Sequence, residues 1–102
     1  PNDGIITTSD ELQAFQTVKT VITGSSRSLA KQSDNITFRD RKNGKSSILW
    51  MDNQRNLICD LLITETKLQL TIQGEKHKLN SLDEIVNYKS ELIEIVKNYL
   101  DE

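Results

Sequence analysis

The stretch ITFRDRKNGKSSILWMD, residues 36–52, decides how this chain is read. Asn43-Gly44 tolerates the positive φ that a two-residue type I′ hairpin turn demands. The reading is therefore a strand over residues 36–41, a tight turn, and a strand over residues 46–52. With Asn43 and Gly44 as the loop, Arg39 lies opposite Ile48 and Arg41 opposite Ser46. Phe38 then shares a face with Leu49, Ile36 and Met51. Because side chains alternate with a period of two, this register also fixes which of them face the core.

Working outward, residues 53–57 read as a longer loop that pairs Asp52 with Ile58. The third strand, residues 57–64, is almost continuously apolar and belongs in the middle of the sheet. This pairing puts Cys59, Leu61 and Ile63 on the Phe38 face and keeps Asp60 off it, where a carboxylate would need a partner. Residues 67–73 alternate, with Leu68, Leu70 and Ile72 on one side, and GEKHKL adds a fifth short strand.

Both ends read as helices. Residues 8–23 open with TSDE, a capping box in which Thr8 and Glu11 satisfy each other's amides. Leu12, Phe15, Val18, Val21 and Ile22 recur at helical spacing, and Gly24 stops the helix. A polar connector follows, with a short helical turn near residues 28–32. SLDE repeats the capping box at Ser81. Leu82, Ile85, Val86, Leu92, Ile93, Val96, Tyr99 and Leu100 form the buried stripe of the closing helix. The order predicts an α+β fold: an antiparallel four- to five-stranded meander with N- and C-terminal helices packed on one face.

The bulk composition fits one domain. The chain has 102 residues, 35% hydrophobic and 27% charged, with net charge −2. That is enough for one modest core and too apolar for disorder. Residues 1–7 read as a linker and 8–102 as the domain. The polar start PNDG suggests a domain cut from a larger protein, or methionine removal before proline. A single cysteine, Cys59, allows no internal disulfide, which fits a reducing cytoplasm. No segment has the length of a membrane span and no signal peptide is visible.

Charge is unevenly distributed. Residues 27–55 hold seven basic side chains against three acids, and residues 83–102 hold six acids against two lysines. The register above places Arg39, Arg41, Ile48, Trp50, Ile58 and Leu62 on the face away from the helices, with Lys42 and Lys45 at the turn. Three readings of this candidate binding face stand open: docking of another protein, single-stranded nucleic acid, or cover by the connector, residues 24–35, around Trp50. Its aliphatic content, Ile48, Ile58 and Leu62, favours burial over solvent, and protein docking is the leading reading.

No catalytic constellation emerges. Asp52 with Glu65-Thr66-Lys67 imitates a metal-dependent nuclease pattern. However, the two carboxylates fall at opposite ends of a hairpin, separated by roughly 20 Å. His77 lacks a nearby serine or cysteine partner and reads as an exposed strand residue. No cofactor, metal or small-molecule substrate is expected.

Several segments together resemble one family. IITTSDELQAFQTVKTVI is similar to its opening helix, ITFRD to a strand ending in Arg-Asp (Arg39, Asp40), and ILWMDNQRNLICDLLI to its strand, Asp-Asn turn (Asp52, Asn53) and Ile-Cys strand (Ile58, Cys59). EKHKLNSLDEIVNY resembles its closing histidine, strand and capped helix. The family is the C-terminal accessory domain of bacterial proteins carrying a type I restriction enzyme R-protein N-terminal-like nuclease domain. The chain departs from it at Asp60, where an arginine is expected, and at RKNGKSS, where the family is more aromatic. The resemblance implies a cytoplasmic, restriction or phage-defence context, with any nuclease activity in an upstream domain absent here. The leading reading is a non-catalytic accessory domain that associates with the parent chain's nuclease domain or with a second copy; the alternative is nucleic-acid (DNA) binding through the basic hairpin.

Overall fold

Gly44 is where the architecture is set. In the computed structural model, which describes residues 9–41 and 44–100, the Arg41 amide donates to the Lys45 carbonyl at 2.8 Å. Three residues, not two, therefore separate the last bonded pair of the hairpin. Gly44 closes the loop at φ 77°, the left-handed conformation that a three-residue loop with a terminal bulge requires. Strand β1 (Ile36–Asp40) consequently pairs with β2 (Lys45–Trp50) as Phe38 to Ile48 and Arg39 to Ser47. The pairing predicted from a two-residue loop is displaced by one position.

Three more strands complete an antiparallel meander in the order β1-β2-β3-β4-β5: β3 (Asn53–Ile63), β4 (Leu68–Ile72) and β5 (Glu75–Lys78). The α+β fold with a helix at each end is the one the sequence predicts. The second turn differs. Trp50 pairs with Asn53, so Met51 and Asp52 alone make the turn, both at positive φ (57° and 55°). Residues 53–57 belong to β3 instead. There, Leu49 pairs with Leu57 and Ile48 with Cys59, leaving Ile58 as a bulge and residues 54–56 without partners on β2.

Helix α1 (Ser9–Thr23) and helix α3 (Lys89–Leu100) cover one sheet face. Thr8 of the expected capping box lies outside the described residues. The buried stripe of α1 is Glu11, Ala14, Val18 and Ile22, so it is rotated from the predicted one; Leu12 points outward at 48% exposure. The closing segment begins as a 3-10 helix (Leu82–Tyr88) before turning α-helical. At three residues per turn, Leu82, Ile85 and Tyr88 share a side and Val86 turns away, leaving it 52% exposed. Glu84 reaches back to the Ser81 amide at 3.2 Å, as the capping-box motif predicts.

Candidate binding face

The displaced register inverts β2. On β1, and on β3 apart from the bulge at Ile58, the expected faces hold: Phe38 (against Phe15 of α1), Cys59 and Leu61 point to the helices, while Arg39, Asp60 and Leu62 point away. On β2, Ile48 and Trp50 join the core, at 0% and 5% exposure, whereas Ser47 and Leu49 turn to the open side, where both are nonetheless buried at 2% and 1%. Ile58, displaced by the bulge, is also core. Ile48, Trp50 and Ile58 are therefore removed from the candidate face. Met51, expected inside, is exposed in the turn. Arg39, Arg41, Lys45 and Leu62 remain on the open side; Lys42 lies outside the described residues.

The connector does not make a second core around Trp50. Its short helix α2 (Arg27–Ala30), capped by Ser26, buries Leu29 in the same cluster as Trp50 and Ile36. The five aromatic side chains of the chain are absorbed elsewhere as well. Phe38 lies against Phe15 at 5.4 Å, and Tyr99 packs against the core and donates to the Leu57 carbonyl at 2.6 Å. Tyr88 stacks on His77 at 4.4 Å, so His77 is half-buried rather than an exposed strand residue.

The open face is organised in cross-strand rows. Register aligns Arg41, Lys45, Leu62, Gln69 and Lys78 in one row, and Arg39, Ser47, Asp60, Thr71 and Lys76 in the next. A concavity of about 440 Å³ opens over them, lined by Leu49 and Leu57 on one side of Ser47 and Asp60, by Leu62 on the other, and by Arg41, Lys45 and Lys76. A second, of about 490 Å³, continues from Gln69 and Lys76 to Lys67 and Lys78. The two share residues and make one trough across the sheet.

Within the trough, polar groups are tied to one another. Arg41 Nε donates to Ser47 Oγ at 2.9 Å, and Ser47 Oγ donates to Asp60 Oδ1 at 2.7 Å. This relay across three strands accounts for the 2% exposed Ser47 hydroxyl and gives the Asp60 carboxylate its partner. Arg39 is engaged differently: its Nη2 meets Asp52 Oδ1 at 3.3 Å, and both side chains are about half exposed. Lys45, Lys76 and Lys78 stand exposed. Acidic groups gather on the helical layer instead, among them Asp10, Asp83, Glu91 and Glu94.

Chemistry elsewhere is sparse. Asp52 and Glu65 lie beyond opposite ends of the eleven-residue β3, which at about 3.3 Å per residue puts them more than about 30 Å apart. Among the described residues, no three His, Cys, Asp or Glu side chains converge. Cys59 is fully buried, and desolvation, with a smaller push from the neighbouring Asp60 charge, drives its thiol pKa far up and keeps it protonated. No helix among the described residues is long and apolar enough to cross a membrane.

Lys76 and Lys78 escaped sequence reasoning. The signal was available: once Leu68, Leu70 and Ile72 mark the covered face of β4, alternation across the tight turn puts both lysines on the other. No protein-family model, curated protein or solved structure matches the chain.

Proposed function

We propose that this domain is a non-catalytic interaction module that associates with another protein through the open face of its sheet. The observation that carries the reading is the trough's mixed lining: Leu49 and Leu57 on one side of the Ser47–Asp60 pair, Leu62 on the other, beside Arg41, Lys45, Lys76 and the amides of Gln54 and Gln69. Apolar side chains set among polar and charged groups are the composition of a non-obligate protein interface. With Trp50 in the core and Phe38 against Phe15 of α1, no aromatic among the described residues stands on this face to stack a base, which weighs against single-stranded nucleic acid. The non-catalytic part of the reading is supported by the separation of Asp52 from Glu65 and by the engagement of Asp52 with Arg39. From the family resemblance comes the context we propose with it: a cytoplasmic restriction or phage-defence protein, the partner being the parent chain's nuclease domain or a second copy.

One observation favours nucleic acid as the second reading, namely the cations Arg41, Lys45 and Lys78 in a single row. Titration with a labelled oligothymidylate separates the two readings. Phosphate contacts release counterions, so affinity would fall with salt at a log–log slope of about −0.7 per contact. We expect no tight binding at physiological salt. Sub-micromolar binding there, lost in Arg41→Ala/Lys45→Ala, would reverse the ranking.

A further inference from the structure

We infer that the trough receives an extended, acidic segment of the partner protein with the pattern acidic–x–apolar–x–acidic. The inference rests on the docking reading above and adds the chemistry of what docks. It follows from the row Arg41, Lys45, Leu62, Gln69, Lys78. Neighbouring strands lie about 4.8 Å apart, so five strands set these side chains over about 19 Å, with Leu62 at the midpoint. An extended chain rises about 3.3 Å per residue, and its alternate side chains point the same way about 6.7 Å apart. Five residues laid across the sheet therefore present three side chains to it. The first falls between Arg41 and Lys45, the second on Leu62, and the third between Gln69 and Lys78.

Each position has its own chemistry. Arg41 and Lys45 together attract a carboxylate, and the Arg41 guanidinium is held in place through the Nε bond to Ser47. At the midpoint Leu62 offers only dispersion and desolvation, so an apolar side chain belongs there. The far end couples Lys78 and Lys76 with the Gln69 amide, again suited to a carboxylate. A phosphate backbone would leave the leucine midpoint unused, which is why the row fits acidic peptide better than nucleic acid. The acidic helical layer would repel such a segment, and this confines it to the sheet.

The test is an NMR titration of the ¹⁵N-labelled chain with the peptide acetyl-Glu-Thr-Leu-Thr-Glu-amide. Amide shifts should concentrate on Lys45, Leu62, Gln69 and Lys78. Exchanging the two glutamates for lysines, or the leucine for serine, should weaken binding about tenfold or more, as should Lys45→Glu/Lys78→Glu in the domain. Both lysines are exposed, so this variant keeps its fold, which its amide dispersion will report. Equal binding of the lysine peptide would overturn the acidic pattern and leave protein docking standing. Shifts from oligothymidylate but from none of the peptides would overturn both. The absence of shifts on the trough with every probe at millimolar concentration would overturn the inference.

Discussion

Two hairpin turns in this molecule exchange the roles their sequences suggest. Asn43-Gly44 is the strongest two-residue turn signal in the chain, yet three residues separate the bonded pair Arg41 and Lys45. Met51-Asp52 carries no such signal, yet it forms a two-residue turn with both residues at positive φ. A left-handed backbone costs a non-glycine residue about 1–2 kcal/mol. At Met51-Asp52 that cost is offset by tertiary bonds to β1 and the residue before it: the Met51 amide to the Asn35 carbonyl at 2.7 Å, the Asp52 amide to Thr37 Oγ1 at 3.0 Å, and the Arg39–Asp52 pair. Local preference locates a turn; the number of residues it uses is settled by what the flanking strands bury. The choice at the first turn decides that Trp50 is core.

The largest effect that could break this comparison is at Trp50. As a core residue it should cost about 3–5 kcal/mol on replacement by alanine, read as a shift of the urea midpoint. Its fluorescence, the only tryptophan signal in the chain, should be blue-shifted and shielded from iodide. A loss under about 1 kcal/mol with an iodide-accessible emission, as expected for a scattered surface residue, would restore the two-residue register.

Next in size is Gly44→Ala. The substitution forces a left-handed alanine, at about 1–2 kcal/mol, and its Cβ would run into the Ile63 carbonyl oxygen, which lies on the neighbouring strand. Together these should destabilise by about 2 kcal/mol or more in the same denaturation experiment. A neutral result would mean that the loop relaxes to a form without the glycine's conformation.

Replacing Met51 with asparagine and Asp52 with glycine sharpens the other side. Removing the backbone cost should gain about 1–2 kcal/mol, against about 0.2–1 kcal/mol lost with the exposed Arg39–Asp52 pair. A net gain near 1 kcal/mol, seen as a rise in melting temperature, is expected. Smallest is Arg39→Ala alone, at about 0.2–1 kcal/mol and weaker in high salt, because both partners are exposed.

The sequence revealed the fold through patterns that admit one solution. Leu68, Leu70 and Ile72 alternate, so only one face of β4 can be covered. The Ser81-Glu84 motif starts the closing helical segment where the structure has it. The candidate face was legible only in part, and β2 explains why. Ile48, Leu49, Trp50 and Met51 are four apolar residues in a row, so either register buries two of them and burial pattern cannot choose. The bulge at Ile58 had the same cover, since Leu57, Ile58 and Cys59 are all apolar. Arg41 and Leu62 were found because β1 and the far part of β3 kept their faces, and Lys45 because it adjoins the turn. Lys76 and Lys78 were missed because β5 was read only as an added strand, without a register.

The hydrogen bond from Tyr99 to the Leu57 carbonyl joins residues 42 apart. It sets a timetable for the growing chain. Each strand of the meander pairs with the one made just before it, so the sheet can assemble hairpin by hairpin during synthesis. Its apolar side gains the cover of α3 only when the chain has been made as far as that helix. Until then Leu61, Leu70 and Ile72 lie on a face that other nascent chains can find, and the interval before α3 emerges is when this protein most needs a chaperone.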